Sequence, residues 1–147
     1  MSNYRTILVP TDFSPPSEAA LLEALELAPQ LDCDVHVVNV WQLPVYTVPD
    51  GYFMLGAEAT GRLVEGLEKS LADLKKKFER REVKLTTQLR EGAPDVEIHR
   101  VATELGAGLI VMGTHGRRGL SHALMGSIAE KVVRTSKVPV MVVPPKR

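Results

Sequence analysis

The sequence predicts an α/β fold built on an open parallel sheet with helices on both faces. Two observations carry that expectation. Short, nearly continuous apolar runs alternate with longer segments whose apolar residues recur every three or four positions. That alternation is the pattern of repeated βαβ units. With 147 residues, the chain is expected to form a single domain spanning 1–147.

The elements follow in order. Thr6–Pro10 is an apolar run stopped by Thr11-Asp12 and reads as the first strand. In the helix over Pro15–Leu31, Ala20, Leu21, Ala24, Leu27, Ala28 and Leu31 form one stripe. Ser14 is its N-cap and Pro15 its first residue. Pro29 is expected to bend or end it. Val35–Val40 is the second strand. The second helix carries Leu63, Leu67, Leu71, Leu74 and Phe78. Lys75, Lys76, Lys77, Arg80 and Arg81 at its end complement the helix dipole. Val83–Leu89 alternates apolar and polar residues, which suits a third strand with one wet face at a sheet edge. The third helix starts near Pro94, repeats Ile98, Val101, Ala102 and Leu105, and stops at Gly106. Leu109–Met112, closed by Gly113, is the fourth strand. Leu124, Ile128 and Val132 mark a fourth helix, and Val138–Val143 is the fifth strand.

One stretch fits neither period. Trp41–Gly61 holds two prolines, three glycines and four aromatics, Trp41, Tyr46, Tyr52 and Phe53. It is too long for a tight strand-to-helix turn. A surface insertion, a lid over a site and an oligomer contact all fit it.

Composition excludes several classes of function. Lys and Arg number 18, as do Asp and Glu, so the basic surplus of a nucleic-acid or anionic-membrane binder is missing. No apolar run approaches the roughly 20 residues that span a bilayer, and Met1–Phe13 does not read as a secretory leader. A lone cysteine, Cys33, forms no internal disulfide and suits a reducing compartment. These features predict a cytoplasmic protein. The histidines lack the spacing of a zinc site, and no nucleophile–base set stands out, so neither a catalytic nor a metal-ligating residue is assigned.

The richest segment is Gly113-Thr114-His115-Gly116-Arg117-Arg118-Gly119, continuing to Met125-Gly126-Ser127-Ile128. It leaves a strand and enters a helix. Glycines there let backbone amides approach an anion, and a helix N-terminus adds unpaired N–H donors. A glycine-rich connection that binds nothing fits equally well. No Gly-x4-Gly-Lys-Ser/Thr loop is present, and no Gly-x-Gly-x-x-Gly follows the first strand. That strand ends instead in Pro10-Thr11-Asp12-Phe13-Ser14, where a turn or N-cap carboxylate is the simpler reading of Asp12.

These residues resemble the universal stress protein A-like family, in its ATP-binding branch. The likeness covers nearly the whole chain. Its specific part is the signature Gly-x2-Gly-x9-Gly-Ser/Thr, met by Gly113, Gly116, Gly126 and Ser127. The resemblance implies a Rossmann-like three-layer sandwich with strand order 3-2-1-4-5 and ATP, or AMP or ADP, at the carboxyl ends of strands one and four. Open parallel sheets bind ligands where strand order reverses, which is the same place. By resemblance Asp12 contacts the ribose, Val40 offers backbone to adenine, and Pro10, Thr11 and Met112 line the pocket. Gly113, His115, Gly116, Arg117, Gly126, Ser127 and Ile128 surround the phosphates, with Mg²⁺ as counter-charge. Ala129 stands where some relatives carry a hydroxyl. The implied function is nucleotide binding in stress response or signalling. A slow ATPase or adenylate-chemistry enzyme is the first alternative, and a nucleotide-free dimeric interaction module the second. A homodimer through the fifth strand, Val138–Val143, is expected because an apolar edge strand invites pairing.

Overall fold

A computed structural model describes residues 5–114 and 125–145. Its main sheet contains five parallel strands: β1 (Thr6–Pro10), β2 (Asp34–Trp41), β5 (Leu85–Glu91), β6 (Leu109–Gly113) and β7 (Val140–Val143). Their order is β5-β2-β1-β6-β7. Leaving aside a small hairpin formed by β3 (Val45–Val48) and β4 (Gly51–Met54), this is the expected 3-2-1-4-5. Ile7 pairs with Val35 on one side and Leu109 on the other, so β1 is where the order reverses.

Helices cover both faces. Alternate residues of β1 enter different cores: Ile7 and Val9 pack with α1 (Pro15–Leu31) and α2 (Ala57–Phe78). Leu8 packs with Ile98 and Val101 of α3 (Pro94–Leu105) and with Ala129 and Val132 of α4 (Ser127–Thr135). The central strands bury both faces, which explains their unbroken apolar runs.

Local signals set several boundaries as expected. Ser14 caps α1 by accepting from the Ser17 amide, with proline at its start. Pro94 opens α3, and Gly106 closes it with φ 61°, a left-handed angle that glycine adopts without a Cβ penalty. Lys75, Lys76 and Lys77 occupy the last turn of α2.

Five expectations need correction. Pro29 does not end α1, which runs on to Leu31. The proline is exposed and sits two residues before Leu31, where Asp32 (φ 52°) turns the chain and the Ala28 carbonyl accepts from the Cys33 amide at 2.9 Å. The third main-sheet strand begins at Leu85, because Val83 is drawn into a bridge with Arg80. Leu63 and Leu67 are only half-buried, so the C-terminal half of α2 makes its core contact through Leu71, Leu74 and Phe78. In α4 the buried face is Ala129 and Val132, while Ile128 is exposed; Leu124 lies outside the described residues. Finally, β7 begins at Val140: Pro139 has no N–H for a ladder and contributes only its carbonyl, which accepts from Ile110 at 2.9 Å.

The segment that fitted neither period contains a hairpin, β3 (Val45–Val48) with β4 (Gly51–Met54). No helix among the described residues is long and apolar enough to cross a membrane.

Candidate functional site

The site is built where β1 and β6 end side by side. Beyond Pro10, the Thr11 amide donates to the Val38 carbonyl at 2.8 Å, and then the chain turns sharply into α1. Phe13 holds φ 65°, an uncommon angle for a bulky residue. The turn is held by side chains. Thr11 Oγ1 accepts from the Phe13 amide at 3.0 Å and lies 3.0 Å from Ser17 Oγ. Ser17 Oγ donates to the Ser14 carbonyl at 2.8 Å, so the Thr11 hydroxyl donates to Ser17. Asp12 Oδ1 accepts from the Ser14 amide at 3.0 Å and from the Ser14 hydroxyl. Asp12 therefore serves the turn, as the simpler sequence reading had it.

Asn39 supports this turn from β2. Its Nδ2 donates to the Thr11 carbonyl at 2.8 Å. The residue is only 5% exposed, and its Oδ1 has no partner among the described residues. Sequence reasoning passed over Asn39, although a lone amide inside Val35–Val40 was a visible signal that some polar group nearby needed it.

From the other side, β6 delivers buried Met112, then Gly113 and Thr114. A Cβ on Gly113 would stand 2.9 Å from the Pro16 carbonyl oxygen. The absent side chain is what lets the end of β6 approach the first turn of α1. The Gly126 amide donates to the Thr114 carbonyl at 2.6 Å, which brings the start of α4 back to the end of β6. Gly126 is the N-cap of α4 and offers no side-chain cap, and the first helical bond runs from the Glu130 amide to the Gly126 carbonyl. The amides of Ser127, Ile128 and Ala129 thus have no acceptor within the helix, and the helix dipole adds partial positive charge there.

Among the residues singled out in the sequence, Pro10, Thr11 and Asp12 come together with Met112 and Gly113, and Gly126, Ser127 and Ile128 join them through the Thr114 bond. Val40 lies on β2, two residues beyond the Val38 that binds Thr11. His115, Gly116, Arg117, Arg118 and Gly119 lie outside the described residues. No cluster of three or more His, Cys, Asp or Glu suited to a metal occurs among the described residues.

Beside the end of β5 lies a second polar arrangement that the sequence did not reveal. Glu97 is 5% exposed and accepts from Arg90 at 2.9 and 3.1 Å and from Arg100 at 2.6 Å. Arg90 also reaches Glu104 at 3.0 Å. The Arg90 hydrogen bonds hold the Glu97 carboxyl below its ordinary range; burial opposes them and Arg100 reinforces them. Gly92 (φ 146°) makes room for Glu97, whose Cγ would lie 2.7 Å from a Cβ there. Elsewhere, burial first, then Asp32 and Asp34, push the Cys33 thiol up, which keeps it protonated and unreactive.

With this geometry in view, comparison with known proteins is informative. The model of the universal stress protein family matches residues 3–144. Universal stress protein MJ0531 of Methanocaldococcus jannaschii is 37% identical over 142 residues, covering 95% of this chain and 82% of that protein. The structure of the hypothetical protein MJ0577, solved to assign its biochemical function, superposes with a TM-score of 0.76 at 27% identity, covering 98% of both chains. A universal stress protein crystallised in complex with cAMP shares the fold, with a TM-score of 0.62 at 24% identity over 97% of this chain and 98% of that one. The chain belongs to the universal stress protein family.

Proposed function

We propose that this chain is a cytoplasmic adenine-nucleotide-binding protein of stress response or signalling, folded as a single domain, with binding as its primary task. One observation carries the reading. The bond from Gly126 to Thr114 sets the N-terminus of α4, which has no side-chain cap among the described residues, beside Gly113, next to the Asp12 turn. Unpaired helix amides favour a phosphate chain, and a carboxylate nearby suits a ribose. A carboxylate has about four acceptor positions, so the turn bonds of Asp12 and a ribose hydroxyl are compatible demands. The ligand proposed is ATP, or AMP or ADP, with Mg²⁺ as counter-charge. Pro10, Thr11 and Met112 would line its pocket, and the Val40 backbone would meet adenine. Gly113, Gly126, Ser127 and Ile128 would hold phosphates together with His115, Gly116 and Arg117. The cAMP complex of a fold neighbour supports an adenine nucleotide for this architecture.

Calorimetric titration of ligand-free protein with ATP tests this. Binding is expected, and Gly126→Val, checked for folding by circular dichroism, should lose it because branched bulk blocks approach to the amides. Undiminished affinity in a folded Gly126→Val protein refutes this placement of the site. We also propose a homodimer through Val138–Val143: β7 ends the sheet with Met141 exposed, and edges of this kind are usually covered. A native protein that sediments as a monomer at micromolar concentration refutes the dimer.

A further inference from the structure

Asn39 occupies a position that the core would fill with an apolar side chain. Side chains alternate along a strand, so on β2 Asn39 follows Val35 and Val37, which pack into the core with α1 and α2. Its Nδ2 donates to the Thr11 carbonyl at 2.8 Å, yet its Oδ1 is the one buried side-chain polar atom without a partner among the described residues. His36 on the same strand differs: its ring nitrogens lie 2.6 Å from Thr86 Oγ1 and 3.1 Å from Gln88 Oε1. One neutral hydrogen bond with an orphaned acceptor beside it at best breaks even for stability. What the Asn39 amide achieves is geometric. The peptide unit joining Thr11 to Asp12 is gripped through its carbonyl by Asn39, and the unit before it through the Thr11 amide by the Val38 carbonyl at 2.8 Å. Both grips come from β2. The turn then passes through Phe13 at φ 65°, an angle that a bulky residue keeps only where its surroundings over-determine it.

We propose that Asn39 is a positioning residue for nucleotide binding: by fixing the peptide plane between Thr11 and Asp12, it sets the Asp12 carboxylate for the ribose hydroxyls. The inference rests on the adenine-nucleotide reading above and deepens it. The Asn39 oxygen is buried and its nitrogen is turned to Thr11, so the residue acts through the turn rather than on the ligand. The tolerance is small, because a hydroxyl–carboxylate bond wants its oxygens about 2.5–3.0 Å apart. A peptide rotation that moves the carboxylate by a fraction of its own width therefore removes the ribose contact. The contacts assigned to the Val40 backbone and to the α4 N-terminus do not pass through that peptide. A selective loss, with the ribose contact gone and the base and phosphate contacts kept, is thus the signature of this role. Leucine has the branching and nearly the shape of asparagine, but it leaves the Thr11 carbonyl free to tip.

Calorimetric titration of the full chain with ATP and with dideoxy-ATP, which keeps base and triphosphate but lacks both ribose hydroxyls, tests it. The wild type should prefer ATP by about tenfold or more, as a hydrogen bond to a charged group provides. Asn39→Leu, checked for folding by circular dichroism, should bind the two ligands within about threefold of each other. Its affinity for dideoxy-ATP should stay near that of the wild type. In case the variant misfolds, the wild type supplies a second measurement. In proton–nitrogen correlation spectra the Asn39 side-chain amide signals should shift on saturation with ATP and stay in place with dideoxy-ATP. An unchanged preference in folded Asn39→Leu, or amide signals that respond alike to both ligands, overturns the proposal. So does an equal loss of affinity for both ligands, which would make Asn39 a structural support alone. A wild type that binds ATP and dideoxy-ATP equally removes the ribose contact and this inference with it, while adenine-nucleotide binding stands. A wild type that binds neither refutes both.

Discussion

Two glycine-to-alanine changes in this chain should shift stability in opposite directions, and the structure sets both signs. At Gly113 the added methyl would meet backbone, with the Pro16 carbonyl oxygen at 2.9 Å, its carbon at 3.1 Å and Pro16 Cβ at 3.3 Å. These atoms belong to the first turn of α1 and cannot swing aside. Overpacking of this kind costs about 1–3 kcal/mol. The less flexible unfolded chain returns about 0.4–1 kcal/mol, leaving a net loss of about 1–2 kcal/mol. For a domain of this size that lowers Tm by roughly 3–6 °C. Gly66 lies inside α2, and nothing stands within 4 Å of its would-be Cβ. There Gly66→Ala removes a helix-weakening residue, is worth about 0.5–1 kcal/mol, and should raise Tm by roughly 2–3 °C. Differential scanning calorimetry of both variants decides the matter. A Gly113→Ala protein at least as stable as the wild type would refute the claim that β6 and α1 meet through a missing side chain.

Two further outcomes concern buried polar groups. Because Arg90 and Arg100 depress the folded-state pKa of Glu97, its stabilisation is present above the unfolded-state value and is lost as pH falls through the folded one. Glu97→Gln should therefore be less stable at pH 7 and lose less on acidification to pH 4 than the wild type. Parallel urea midpoints for the two proteins across that range would count against it. Asn39→Asp would put a carboxylate against the Thr11 carbonyl in a buried site. A rise of two or three pH units in its pKa corresponds to about 3–4 kcal/mol lost at pH 7. That loss should be recovered on acidification, as the protonated acid regains a donor for Thr11; a variant as stable as the wild type at pH 7 would show that the Asn39 bond holds nothing.

What the sequence revealed depended on how local the cause was. Ser14, Pro94 and Gly106 act on their own turns, so helix boundaries followed from them directly. The strand order is not local, and it came from the resemblance rather than from the pattern. Periodicity identified a stripe on α4 but not which part of it faces the sheet, so Ile128 was assigned inward while Ala129 holds that place. The hairpin had a readable signal in Val48-Pro49-Asp50-Gly51, turn chemistry between two apolar runs. Its aromatics drew attention to lids and contacts instead. At the site, Asp12 and the glycines were legible as residue types, but Asn39 acts across strands, and only the fold shows what it holds.

The bond between Gly126 and Thr114 has an evolutionary consequence. It ties the entry and exit of the intervening sequence together at the sheet, so whatever chain joins them is closed by a clasp that belongs to the scaffold. Doubling the length of a closed connection costs only about 0.6 kcal/mol. Insertions, deletions and wholesale exchange between Thr114 and Gly126 are thus cheap for folding. A lineage, or a protein engineer, can trade one connecting sequence for another there without rebuilding the frame.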